Sequence, residues 1–152
     1  MLREVVDYLM LVAHVVGAVL GLGGAAYLLM LLPAAVKLGG EPGRQLMAQA
    51  AARFKTLGIA ATWLLLLSGG HLTFARGHFA SDHALLLGVK IILAIAVIGM
   101  WHASSAQAER AAQAEGGTEP PLRLLRISLL LAFVALAIGT WISTGFAEAG
   151  RP

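Results

Sequence analysis

The sequence predicts an all-α integral membrane protein, a four-helix up-down-up-down bundle in a single transmembrane domain spanning residues 1–152. Three observations carry this. Hydrophobic residues make up 59% of the chain and charged residues only 12%, about half the charged share of an ordinary soluble domain. The charges fall into short clusters between long apolar runs. No alternating apolar-polar pattern suggests a membrane β-barrel, and in lipid the remaining way to satisfy every backbone polar group is the helix.

The apolar runs cover approximately residues 8–32, 57–74, 84–103 and 124–146. Each is long enough to cross a ~30 Å hydrocarbon core at ~1.5 Å per residue. The first follows Asp7 and ends at Leu32-Pro33. It is too long for a signal-peptide core, so no cleaved signal is expected. The second is the shortest, bounded by Arg53 and Lys55 on one side and Arg76 on the other. The third ends at Trp101-His102, which reads as an interfacial belt. The fourth enters through Arg123 and Arg126.

The connections are then Pro33–Thr56, Ala75–His83 and Ser104–Arg123. Arg44–Phe54, free of Gly and Pro, is a helical candidate within the first, and Gly116, Gly117, Pro120 and Pro121 mark the third as a loop. Short connections favour antiparallel neighbours. Seven Lys and Arg fall on the side of the first and third connections and three on the other, with Lys90 inside a helix. The positive-inside rule therefore predicts both termini outside, which in a bacterial inner membrane is the periplasm.

Composition excludes several functions. There is no cysteine, hence no disulfide, thiolate metal site or iron–sulfur cluster. No Arg/Lys run interleaved with aromatics suggests nucleic-acid binding.

Ionisable residues within membrane helices are functional candidates by default. His14 and Lys90 each fall roughly 10 Å below the outer boundary by helical rise. His71 lies within a turn of the outer end of the second run, and His78 and His83 lie on or beside the outer turn. The five collect in the outer half of the bundle. His102 is expected at the opposite face and apart from them. Gly17 and Gly21 share the His14 side of their helix. They suit either close helix packing or room for a flat macrocycle; for Gly24, packing is the preferred reading. A histidine beside small residues suits haem b, with His14 as one axial ligand and His71 or Lys90 as the other. Lys90 also suits a salt bridge to a propionate or a snorkelling position. His14 and His71 would equally suit copper, with His78 and His83 as weaker ligands. The methionines, however, do not line a copper path.

The residues His14-Val15-Val16-Gly17 through Gly23-Gly24 and on to Leu32-Pro33-Ala34 resemble the first-helix motif of CopD-type copper-resistance membrane domains. Arg53-Phe54, Leu67-Ser68-Gly69-Gly70 and Leu87-Gly88-Val89-Lys90 are similar to later parts of that pattern. His14, Lys90 and Trp101-His102 also resemble the HemJ-type protoporphyrinogen oxidases, a related four-helix group. The resemblance covers roughly residues 8–105. It implies either copper handling or haem b held at His14 and Lys90. The expected function is a membrane b-type haem protein in electron transfer or haem-linked redox chemistry near the periplasmic face, either as an oxidoreductase or as an electron-transfer subunit. Quinol or a periplasmic electron donor is its expected partner. A copper-handling protein and a cofactor-free structural subunit of a larger respiratory membrane complex, or a homo-oligomer, are the alternatives.

Overall fold

The structure, a computed structural model, describes residues 1–75, 84–114 and 120–149, with backbone alone for 143–149. The described residues form four helices: α1 (Leu2–Leu38), α2 (Gly40–Ala75), α3 (Ala84–Gln113) and α4 (Leu122–Ala149). All four are long and apolar enough to cross a membrane. Helices adjacent in sequence pack on one another, and α4 closes back onto α1. Along the α1/α2 seam, Arg3 meets Ala75, Asp7 meets His71, Gly24 meets Phe54 and Gly43 meets Ala35, so these two helices are antiparallel. The Lys55–Glu109 and Thr62–His102 contacts make α2 and α3 antiparallel too.

The helices are longer than their apolar runs. The expected Pro33–Thr56 connection shrinks to a sharp turn at Gly39. Helix α1 continues through Pro33, whose ring removes one ladder bond without ending the helix. It stops where Gly39 and Gly40 take φ values of 64° and 54°, a region only glycine enters cheaply. The returning helix lies close: a Cβ on Gly43 would stand 2.5 Å from the Ala35 carbonyl oxygen. The first ten residues of the expected third connection are likewise helical. Ala103, Ala106, Ala108, Ala111 and Ala112 give this stretch high intrinsic propensity.

The tightest core lies toward the Gly39 end, where Leu28, Leu32, Phe54 and Leu125 are fully buried among Ala35, Ala50, Ala51 and Ala108. These alanines let the backbones approach closely. The Asp7 end is looser. No residue of α1 before Gly17 is buried. His14, His71 and Lys90 fall in this looser half.

Candidate polar site at the Asp7 end of the bundle

His14 on α1 is half-buried and its Nδ1 lies 3.0 Å from Ser68 Oγ on α2. The Ser68 hydroxyl donates its own hydrogen to the Leu64 carbonyl one turn earlier. That proton is therefore committed, and Ser68 Oγ accepts from His14 Nδ1–H. This arrangement puts a proton on Nδ1 and leaves Nε2 without a partner among the described residues. Gly69 makes the contact sterically feasible, since a Cβ there would come within 3.2 Å of His14 Cε1. Ser68 itself is 1% exposed.

Lys90 approaches from α3, which lies across the bundle. The side chain lies against Gly139 of α4, where a Cβ would meet Nζ at 3.0 Å and Cε at 3.2 Å. Lys90 has no hydrogen-bond or ion-pair partner among the described residues. His14 and Lys90 thus lie in the same half of the bundle, His14 against α2 and Lys90 against α4.

His71 is placed differently. Its Nε2 stands 2.8 Å from Asp7 Oδ1, joining the ends of α2 and α1. Arg3 adds a bond to the Ala75 carbonyl at the same end. On α2, His71 is one turn beyond Ser68, the residue His14 bonds. His14 and His71 each bond a partner on the facing helix rather than facing one another. His78 and His83 lie outside the described residues.

The glycines on the His14 face of α1 are filled by protein. A Cβ on Gly17 would meet Leu64 at 2.9 Å and Leu65 at 3.1 Å. One on Gly21 would meet the Trp101 ring at 2.0 Å, and one on Gly24 the Phe54 ring at 3.0 Å. Trp101 is 3% exposed and packs into α1, so the expected interfacial position for it is corrected. The reason is that α3 does not end at residue 103 but runs on to Gln113, which places Trp101 well inside the bundle. His102 turns instead to α2, with Nε2 3.2 Å from Thr62 Oγ1; the α1/α2 register puts Thr62 level with Val16, so the expected position of His102 at the face opposite His14 is corrected as well. Beside it, Trp101 Nε1 and Ser104 Oγ are buried with no hydrogen-bond partner among the described residues.

Sequence reasoning did not single out Ser68, Asp7 or Gly139 as partners. Ser68-Gly69-Gly70 is the signal that could have found the first: a small polar residue followed by two glycines, seven residues before the end of a membrane helix. Among the described residues no three His, Asp or Glu side chains gather to hold a metal ion.

The fold and site define a four-helix membrane bundle with an oriented histidine and a lone lysine in the interior of one half. No protein-family model, curated protein or solved structure matches the chain.

Proposed function

We propose that the chain is a membrane b-type haem protein in which His14 ligates the iron through Nε2. The observation that carries this reading is the His14–Ser68–Leu64 relay of hydrogen bonds. Metal-ligating histidines characteristically donate their other ring N–H to an oriented acceptor, which fixes the tautomer and raises the basicity of the ligating nitrogen. Lys90 then has a role as well: its ammonium, without an ion-pair partner among the described residues, suits a propionate carboxylate. The donor chemistry fits this group. The spaces beside Gly17 and Gly21 do not help to hold it, because Leu64, Leu65 and Trp101 fill them. His71 is engaged by Asp7 through Nε2, which leaves Nδ1 as its remaining donor atom, and this reading rests on His14 alone.

A bound haem supplies one-electron redox chemistry, with its potential set by axial ligation, hydrogen bonding and burial. The protein's part is to orient the His14 lone pair through Ser68, to place one positive charge nearby through Lys90, and to surround both with apolar helices. Near one membrane face, that arrangement suits electron exchange with quinol or a donor in the periplasm. The periplasmic side is where the distribution of Lys and Arg puts the Asp7 end.

One observation favours a second reading, a cofactor-free membrane subunit. The filled glycine notches are what helix packing alone requires. Copper retains His14 and His71 as candidate ligands, but no further observation supports it. Haem titration separates the readings. Purified protein should take up haem with a saturable Soret change, His14→Ala should abolish it, and His71→Ala should retain it. Absence of uptake by the wild-type chain would leave the structural reading.

A further inference from the structure

The exposed face of α1 carries one apolar stripe that outruns the rest of the bundle. Val16, Val19, Gly23, Tyr27, Met30 and Ala34 are all exposed. At 3.6 residues per turn they fall within about 80° of one another. Met30 is 78% exposed, and no charge interrupts α1 between His14 and Lys37. The other helices behave differently at the Gly39 end. Helix α2 exposes Arg53 and Lys55, α3 exposes Arg110, and α4 exposes Arg123 and Arg126. The α1/α2 register, set by Ala35–Gly43 and Gly24–Phe54, puts Arg53 level with Ala25. The stripe therefore runs on toward Lys37 for about 18 Å past the level at which α2 turns basic. Met30 is level with Ala48, on a part of α2 whose exposed face carries Gln45 and Gln49.

We infer that the inner part of this stripe, from Gly23 to Ala34, lies against the lipid of the leaflet nearer the Gly39 turn. The bundle is then tilted so that α1 is on its deeper side. Two arguments select lipid over a protein partner. The stripe is continuous with exposed Val16 and Val19, and its most exposed inner side chain, Met30, is long and flexible where membrane helix pairs pack through small residues. It ends at Lys37, in the last turn of α1, where a long cationic stem reaches phosphate headgroups. Length agrees. From Tyr8 to Val36 is about 42 Å of helix against ~30 Å of hydrocarbon, an excess that tilt accommodates. The basic residues on α2, α3 and α4 then meet the headgroups on the raised side.

Because the chain has no cysteine, single substitutions give clean labels. Met30→Cys, Ala34→Cys and Gln49→Cys, with Val19→Cys as hydrocarbon reference, are spin-labelled in vesicles containing anionic phospholipid. Relaxation by oxygen and by a water-soluble nickel chelate is then compared. Met30 and Ala34 labels should behave like Val19, oxygen-accessible and shielded from nickel, while the Gln49 label should be at least tenfold more exposed to nickel than Met30. Equal nickel access at Met30 and Gln49 would overturn the inference. So would shielding of Met30 and Ala34 from both agents with spin–spin broadening, which would mean a second copy covers the stripe.

Discussion

Gly21→Ala separates the two roles a glycine beside a histidine can have. The added methyl would stand 2.0 Å from Trp101 Cη2 and 2.2 Å from Cζ3, more than 1 Å inside ordinary contact. The clash is with a rigid ring rather than a flexible tip. Trp101 is 3% exposed and has little room to retreat. Overpacking of this kind costs about 1–3 kcal/mol. In detergent, the variant should lose that much stability in reversible denaturation against wild type. Trp101→Leu should lose stability by itself, through the cavity it leaves. The double variant should recover part of the sum, with a coupling of about 0.5–3 kcal/mol, because the smaller side chain admits the methyl. Additive losses would refute the packing account of Gly21. Unchanged stability in Gly21→Ala together with lost haem uptake would show that the glycine makes room for the cofactor instead.

Three further outcomes are expected. Ser68→Ala should weaken haem binding by about 10–100-fold in equilibrium titration while the bundle stays folded, since it removes the acceptor that orients His14; unchanged affinity would mean the relay is incidental. Leu2→Cys should react with a membrane-impermeant maleimide from the periplasmic side and Gln45→Cys only after the inner membrane is opened; the reverse pattern would invert the topology. His102→Gln should leave haem uptake intact and cost at most about 0.5–1.5 kcal/mol through its bond to Thr62, as read by denaturation, whereas loss of haem would make His102, close to His14 in height but on α3, a ligand.

The four membrane helices are legible in the sequence because apolar runs of membrane length rarely arise outside a bilayer. Their lengths are understated there for a physical reason. Beyond the hydrocarbon, α2 from Gly40 to Thr56 and α3 from Ser104 to Gln113 carry polar and small residues, and the hydropathy signal ends before the helix does. The Gly39-Gly40 pair is visible in the sequence, yet only the backbone shows that the entire turn is made there. Depth alone puts His14 and Lys90 in the same half of the bundle, since helical rise converts residue number directly into height. Lateral partners are not legible. Whether His71 turns to His14 or to Asp7 depends on how α1 and α2 are rotated against one another. Equally, the filling of Gly21 by Trp101 requires two helices 80 residues apart in sequence to meet at one level. Ser68 gives no signal of its own because a lone serine in a membrane helix usually bonds its own backbone, as this one also does.

The reduced-minus-oxidised visible spectrum of the purified protein, recorded alongside His14→Ala and with metal analysis of both, tests the central claim most directly. The account predicts a b-type haem difference spectrum in the wild-type chain and none in the variant, with both equally folded by circular dichroism. A wild-type protein without Soret absorbance after haem supplementation, or a His14→Ala protein with an unaltered spectrum, would contradict it.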